Sequence, residues 1–369
     1  MVRKMVFVVS ALKGGGAEKF VLNLYKAMEK YQGYECHIVS IDKAVEHDID
    51  GYRVHFVSDF CNVSKKGLRR LSYKKNIARS VEQYIIRNIS KDAFVLSNML
   101  LADKIMSKST LRVHHIIHSS YYSAFLKGRN WLKAIKIKSQ INSIYKNHPL
   151  VFVSKASQFE YEDNFATKTK NKVIYNPIEV SDIEAMSKLN TDIDIDIDIT
   201  QDYFVHVGRF NRAKRHDRLI DAYSQLSSHS TKLLLLGGGS GMSAVKLQVN
   251  NMGLKDFVVF GGFSDNPYPY IKNAKALVLT SDFEGLPTVL IEAIALGTPI
   301  ITTNCSGGVL EIVDVNSKAV VKDNDPSAIA HAMNLVGERP DCFKSSLSHK
   351  FLASEVALKY HNLNISTYC

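Results

Sequence analysis

Two glutamates in one short segment have the spacing of a ligand site. In Ser281–Pro299, Glu284 precedes Glu292 by eight positions, and Pro287 and Gly297 mark the start and the stop of a helix. A carboxylate in the loop before the helix can face ligand hydroxyls, while the first helix amides can face phosphate oxygens. Glu292, two turns along, could instead cap the helix charge or face solvent. The residues that join Glu284 to the helix are Leu286, Pro287 and Thr288.

A second group of chemical interest is basic. Gly208-Arg209 follows an apolar run, and Lys214 comes five residues after Arg209, where a helix should begin. Two cations at the end of a strand can hold a diphosphate and neutralise the charge that grows on a leaving group. A solvated basic turn is the alternative interpretation. The glycine turn around Gly238 would allow a nucleotide to approach closely, although such turns are common between strand and helix.

Two further candidates lie in the first half of the chain. Gly15 and Gly16 belong to a glycine turn after the first apolar run, where backbone amides can bind an anion at the start of a helix. The turn fits neither the dinucleotide fingerprint nor the phosphate-binding loop, and it could be a plain tight turn. His118 ends a predicted strand and could be catalytic or only packed, whereas His114 and His115 are expected to be structural.

The elements that must position these residues alternate between short β-branched runs and helical stretches. This alternation predicts an α/β protein of two doubly wound domains with parallel sheets. Domain boundaries are expected at 1–180 and 203–345, with a linker over 181–202 and a terminal helix within 346–369 that could pack back on the first domain. The Asp-Ile repeat over 192–198 within the linker could collect a divalent cation, but it lacks the glycine turn of a calcium loop and is interpreted as a repeat-expanded linker.

Composition narrows the class of protein. The chain of 369 residues is 46% hydrophobic and 22% charged, which excludes disordered and fibrous classes. Five widely spaced cysteines suggest neither a disulfide framework nor a zinc site, so we expect a reducing cytosol. No uncharged apolar run approaches 18 residues, and any membrane contact should therefore be peripheral. The net charge of +11 predicts an acidic partner.

Taken together, the motifs resemble retaining glycosyltransferases of family 4. The resemblance rests on Glu284 and Glu292 in their Gly-Leu-Pro-Thr-Val-Leu-Ile-Glu context, on Gly208-Arg209 with Lys214, and on the early glycine turn. It covers nearly the whole chain and implies a GT-B fold, in which two Rossmann-like domains face each other across a cleft. It also implies a nucleotide-sugar donor, with UDP as the nucleotide most usual in the family.

The resemblance assigns a role to each candidate residue. It implies that Arg209 and Lys214 bind the donor diphosphate, that Glu284 contacts the sugar, that Glu292 contacts the ribose, and that His118 touches the transferred sugar. Gly15 and Gly16 would lie beside the phosphates or the acceptor. Because these cations and the helix amides can stabilise the leaving group, we expect transfer without a metal or cofactor. A non-catalytic sugar-nucleotide-binding or scaffold protein of glycan assembly is the alternative.

The positive charge is concentrated in the first half. Lys65–Lys146 contains 18 Lys and Arg but only 3 acidic residues, and its segment Trp131–Tyr145 mixes lysines with apolar residues. A basic helix with a Trp suits an anionic lipid surface, but its apolar stripe could equally face its own sheet. We therefore expect a cytoplasmic protein, peripheral on the inner face of the membrane, whose acceptor is a lipid-linked bacterial surface glycan such as lipopolysaccharide or capsule. No nucleic-acid-binding motif is present, so nucleic acid is not expected as a partner.

Overall fold

The structure, a computed structural model, describes residues 2–62, 69–189, 202–305, 307–322 and 324–368. The chain divides into two compact units. Unit 1 comprises Met1–Pro177 and Lys350–Cys369, and unit 2 comprises Ile178–His349. No helix in these described ranges combines the length and the hydropathy that a membrane crossing requires.

Unit 1 is built on a parallel sheet. In the described part of this unit its strands are β1 Lys4–Val9, β2 Glu35–Ser40, β3 Val54–Phe56, β4 Phe94–Asn98, β5 Val113–Ile117, β6 Leu150–Phe152 and β7 Lys172–Val173. They pair in the order β3-β2-β1-β4-β5-β6-β7. The central strands are almost wholly buried, because helices cover both faces of the sheet.

The helices of unit 1 follow its strands. They are α1 Gly16–Gln32, α2 Val57–Phe60, α3 Arg69–Asn88, α4 Leu100–Met106, α5 Trp131–Tyr145 and α6 Lys155–Asn164, and a π-helical turn occupies Tyr122–Leu126. β3 has only three residues, and Val57, which follows it directly, is the buried first residue of α2.

Unit 2 repeats the same plan. Its strands are β8 Tyr203–Val207, β9 Lys232–Leu236, β10 Val258–Gly262, β11 Ala276–Leu279, β12 Ile300–Thr303 and β13 Val320–Val321, paired in parallel in the order β10-β9-β8-β11-β12-β13 among the described residues. Its helices are α7 Val180–Met186, α8 His216–Tyr223, α9 Met242–Asn251, α10 Tyr268–Asn273, α11 Thr288–Ala295 and α12 Pro326–Glu338. Short 3-10 turns occupy Gly308–Glu311, Pro340–Phe343 and His349–Phe351.

The segment predicted as a linker is partly helical. Helix α7 lies inside the range 181–202 apart from its first residue, and it packs on α10 and α11 of unit 2 through the buried Ile183. The Asp-Ile repeat that we interpreted as linker lies outside the described residues. The last helix, α13 Ala353–Tyr368, packs on α1 and belongs to unit 1.

The two sheets confirm the predicted α/β class of two doubly wound domains. Each sheet has one point at which successive strands begin to be added on the opposite side. This reversal lies between β1 and β4 in unit 1 and between β8 and β11 in unit 2. Loops after strands diverge at such a reversal and leave a crevice beyond the carboxyl ends, where ligands bind in open α/β sheets. The fold therefore indicates one candidate ligand edge in each unit.

Candidate active site

The ligand edge of unit 2 brings two of the predicted site residues together. Lys214 follows β8 and Glu284 follows β11, the two strands at which the order reverses. The Lys214 Nζ donates to Glu284 Oε1 at 2.6 Å, and the Ser281 hydroxyl donates to the same oxygen at 2.6 Å. The side chains of Lys214 and Glu284 are only 19% and 13% exposed. The two opposite charges thus form a short, charge-assisted hydrogen bond that is mostly shielded from solvent.

The loop that carries Glu284 is fixed by the strand beside it. The Thr303 hydroxyl donates to the Ser281 carbonyl at 2.8 Å, and the Gly308 amide donates to the Gly285 carbonyl at 2.9 Å. Gly307 has φ +112°, and a Cβ there would overlap the Glu284 carbonyl oxygen. The Gly307-Gly308 pair therefore positions the backbone of Glu284.

The three glycines of the turn after β9 differ in the space around them. A Cβ on Gly237 or Gly239 would overlap the backbone of Gly208 or Phe210, and both glycines have positive φ. These two glycines are required by the packing of one loop on the other. Gly238 differs, because a Cβ there would meet no atom of the protein within 4 Å. Of this triplet, Gly238 is the residue whose small size leaves open space.

The basic residues after β8 divide into two groups. Arg215 and Arg218 are bound to the Asp282 carboxylate, with shortest distances of 3.2 and 2.7 Å, and Arg218 also donates to the Thr280 carbonyl. They hold the β11 loop in place. Arg209 is exposed at the end of β8. The charges of Arg215 and Arg218 are therefore engaged with the loop that leads to Glu284.

Helix α11 begins as the sequence predicts. Pro287 is its N-cap residue and Thr288 its first residue, and Leu286 and Pro287 are buried. Glu292 is 3% exposed, so it does not face solvent. Glu292 lies within the helix that starts beside Glu284, at the ligand edge of unit 2.

In unit 1 the glycine turn lies at the other ligand edge. Gly15 precedes α1 as its N-cap residue, and Gly16 is the first residue of the helix. The Gly14 amide donates to the Glu46 carboxylate at 2.9 Å, and the Gly15 amide donates to the His47 ring at 3.4 Å. A carboxylate oxygen thus already accepts from this turn, which shows that its amides suit an anionic oxygen.

His118 follows β5 directly, and a second strand end orients it. Its Nε2 donates to the Asn98 side-chain oxygen at 2.9 Å, and its ring packs edge-on against Phe20 at 4.8 Å. Burial lowers the pKa of His118 to about 4, so the ring is neutral at pH 7. Sequence reasoning missed Asn98. Its position at the end of β4, the neighbour of β5, is the signal that could have found it.

The adjacent histidines have a different environment. His115 is fully buried and donates through Nδ1 to Asp103 at 2.8 Å, and the Tyr145 hydroxyl donates to the other oxygen of Asp103 at 2.7 Å. His114 is buried against Phe94. Both histidines are thus packed inside unit 1, as expected for structural residues.

Two family models match the chain, one on each half. Residues 14–182 match the model described as Glycosyltransferase Family 4. Residues 190–349 match the model described as Glycosyl transferases group 1. The two matches together cover both ligand edges described above.

Curated relatives agree with the family models. The chain is 25% identical to the N-acetylgalactosamine-N,N'-diacetylbacillosaminyl-diphospho-undecaprenol 4-alpha-N-acetylgalactosaminyltransferase of Campylobacter jejuni, over 84% of this chain and 83% of that protein. It is 29% identical to the lipopolysaccharide 1,6-galactosyltransferase of Escherichia coli, over 53% of this chain and 49% of that protein.

Solved structures share the fold over the whole chain. Sucrose-phosphate synthase from Thermosynechococcus elongatus superimposes with a TM-score of 0.74 at 19% identity, covering 99% of both chains. The Anabaena protein HepE, solved in complex with UDP-glucose, superimposes with a TM-score of 0.72 at 16% identity, again covering 99% of both. With both family models matched and both Rossmann-like sheets present, the chain belongs to the family 4 glycosyltransferases and has the GT-B fold.

Proposed function

We propose that this protein is a retaining glycosyltransferase that moves a sugar from a UDP-sugar to a lipid-linked bacterial surface glycan. The observation that carries the proposal is the ion pair of Lys214 and Glu284 beside the strand end of Gly208-Arg209. A cation that binds phosphate and a carboxylate that binds sugar hydroxyls are needed side by side at the bond that breaks, which joins the sugar to the diphosphate.

Donor binding would open this ion pair. Lys214 would exchange the Glu284 oxygen for a phosphate oxygen, with Arg209 and the first amides of α11 as further donors. Glu284, still held by Ser281, would then accept from the sugar hydroxyls. Once the donor is bound, these cations and amides already face the diphosphate, so they can stabilise the charge that grows on the leaving group during transfer, and the proposal requires no metal or cofactor.

The transfer step balances without a protein nucleophile. The bond between the anomeric carbon and the diphosphate oxygen breaks, the acceptor hydroxyl attacks from the same face, and its proton passes to the departing phosphate oxygen. The configuration at the anomeric carbon is retained. His118 is neutral, so it would contact the transferred sugar as a hydrogen-bonding group without adding a charge that competes with the developing positive charge of the sugar.

The remaining site residues would bind the nucleotide. Glu292 would accept from the ribose hydroxyls, and Gly238 leaves room for the nucleotide to approach. The UDP-glucose complex of HepE supports UDP as the nucleotide. The names of the Campylobacter and Escherichia relatives support N-acetylgalactosamine or galactose as the sugar, and N-acetylglucosamine and glucose are the next candidates.

The acceptor and the place of action follow from the same relatives. One acts on a diphospho-undecaprenol-linked glycan and the other on lipopolysaccharide. We extend this to a growing glycan on a lipid carrier as the acceptor here, reached by a cytoplasmic protein bound peripherally at the inner face of the membrane.

A transfer assay tests the proposal. Wild-type protein and the variant Glu284→Gln are incubated with UDP-N-acetylgalactosamine, UDP-galactose, UDP-N-acetylglucosamine or UDP-glucose and a diphospho-undecaprenol-linked acceptor, and the anomeric configuration of the product is read by NMR. We expect one donor to give an α-linked product with wild type only. An inverted product would overturn the retaining mechanism, and donor binding without transfer to lipid-linked or lipopolysaccharide acceptors would favour the scaffold alternative.

A further inference from the structure

Helix α5 of unit 1 has apolar residues on two sides, and the protein core covers only one of them. Ile141, Ile144 and Tyr145 are buried in a core cluster with β5 and β6, and Ile137 packs against the same cluster. The predicted stripe facing the sheet is therefore present. It does not include the first turn of the helix.

The uncovered side of the helix is apolar at its start. Trp131, Leu132 and Ile135 are 70%, 63% and 58% exposed. Position 135 is a surface neighbour of both 131 (i, i+4) and 132 (i, i+3) on a helix, so the three side chains form one patch with Ile135 between the other two. We call these three residues the α5 patch. Large apolar side chains grouped on a surface mark an interaction site, whereas single ones do not.

The charge around the α5 patch has one sign. Lys127 and Arg129 precede it in sequence, and Lys133 and Lys136 lie on the same helix, and all four are exposed. No Asp or Glu occurs between Asp103 and Glu160 in the sequence. The Asp103 carboxylate is fully buried, where it accepts from the His115 ring. The basic residues therefore have no acidic neighbour in sequence to neutralise them.

The start of α5 is fixed in a way that presents the patch. The Asn130 side chain caps the helix by accepting from the Lys133 amide at 3.0 Å, which sets Trp131 as the first helical residue. No acidic residue lies in the first turn, although acids are favoured there and a lysine is disfavoured by the helix dipole. Lys133 is thus unfavourable for the helix itself, which indicates a use outside it.

We propose that the α5 patch docks the protein on an anionic lipid bilayer, with Trp131, Leu132 and Ile135 inserted at the headgroup level and the lysines against lipid phosphates. A Trp beside aliphatic residues and a ring of lysines is the composition of an interfacial helix. Nucleic acid would match the charge but would leave the aliphatic side chains in water, and a second copy of this basic surface would repel the first.

The docking inference rests on the proposed function in one respect, since a lipid-linked acceptor gives the docking its use. Binding to the bilayer does not depend on catalysis, because no residue of the α5 patch is among the proposed site residues. Failure of one therefore does not imply failure of the other.

The chain provides its own reporter, because Trp131 is its single tryptophan. Full-length protein is mixed with vesicles of phosphatidylcholine alone or with about 30% phosphatidylglycerol, and Trp emission and its quenching by brominated lipids are recorded. We expect a blue shift and quenching on the anionic vesicles, with the binding weakened as salt is raised. No shift on anionic vesicles, or an equal shift on neutral ones, would overturn the proposal.

Variants separate the α5 patch from general charge. Leu132→Glu/Ile135→Glu keeps the reporter and should lower vesicle affinity at least about tenfold, since it removes two inserting side chains and two units of net positive charge. The matched control is Leu247→Glu/Met252→Glu, which makes the same change in net charge at two exposed apolar residues of unit 2 and should bind close to wild type. Equal loss in both variants, or a Trp shift caused by duplex DNA or by self-association in sedimentation velocity, would contradict lipid docking.

A transfer assay with a short-chain acceptor soluble in water completes the test. The double variant should turn over this acceptor at the wild-type rate and lose activity only on vesicle-bound acceptor. Loss of activity on both would mean that the first turn of α5 supports the fold or the site, and this would overturn a docking role.

Discussion

At the scale of single residues, Glu284 depends on two donors that share one of its oxygens. Glu284→Gln preserves the shape but removes the charge that pairs with Lys214. We expect kcat to fall by about 10²-fold or more with the fold intact, which is the size of effect seen when one preorganised polar contact is lost from a transition state. Steady-state kinetics and circular dichroism measure both parts. Wild-type turnover in this variant would remove Glu284 from the mechanism.

Ser281 should act as a positioning residue through Glu284. Ser281→Ala removes a neutral hydrogen bond, so we expect a smaller loss of about tenfold, mainly in kcat rather than in donor affinity. The control is Ser224→Ala, whose hydroxyl donates to the Asp221 carbonyl within α8. Equal kinetics in the two variants would show that the bond to Ser281 does not orient the carboxylate.

The sequence predicted the residues that carry chemistry better than those that orient them. Lys214 and Glu284 follow different strands, and both were predicted as site residues, whereas their direct contact is shown by the structure. Ser281 and Asn98 were not predicted as site residues, because a hydroxyl or an amide has no distinctive spacing and acts only through the neighbour that the fold supplies. Of the basic residues after β8, the sequence could not tell Arg209 from Arg215, since the partner Asp282 lies on another strand end.

At the scale of elements, two glycines of unit 2 should respond oppositely to the same change. Gly238→Ala has room for its Cβ and should fold normally, and reduced affinity for a nucleotide sugar would then report a nucleotide close to this turn. Gly307→Ala must displace the Glu284 backbone and adopt a strained φ, so we expect lower stability as well as lower activity. Thermal unfolding and donor calorimetry measure the two effects. A Gly307→Ala protein of wild-type stability would contradict the packing described.

The packing of the terminal helix α13 on α1 should contribute to the stability of unit 1. Tyr360 is fully buried and its ring lies 6.4 Å from that of Phe20 on α1. Tyr360→Ala should lower the free energy of unfolding by roughly 3–5 kcal/mol, the cost of deleting a buried aromatic ring. Leu358→Ala, on the same helix but 44% exposed, is the control, and urea denaturation gives both values. Equal effects would mean that α13 is not part of the core of unit 1.

The main strands were predictable and the smallest elements were not. β1, β2, β8 and β9 are segments of five or six residues rich in apolar and β-branched side chains, long enough to show a pattern. β13 has two residues, and no local pattern distinguishes it from a loop. The sequence also did not show which apolar side of α5 faces outward. Helical periodicity indicates two apolar stripes but not which of them the core covers.

At the scale of the whole molecule, buried histidines should make stability depend on pH. Burial lowers the pKa of His114 and of His216 to about 4 from a usual 6.5. Between pH 6.5 and 4 the unfolded chain therefore binds protons that the folded chain does not, so the free energy of unfolding must fall as the pH drops, by on the order of 3 kcal/mol for each buried ring. Urea denaturation at pH 7.5 and pH 4.5 measures this change, and His114→Gln should reduce it. A flat profile would show that these rings are accessible to protons in the folded state.

The proposed donor site is tested most directly by a calorimetric titration of the whole protein with UDP-, GDP-, ADP- and CMP-sugars in EDTA. We expect saturable binding of one UDP-sugar without a metal, and weaker binding in Arg209→Ala and in Lys214→Ala. Binding of no nucleotide sugar, or binding that requires a divalent cation, would contradict the assignment of the diphosphate to Arg209, Lys214 and the start of α11.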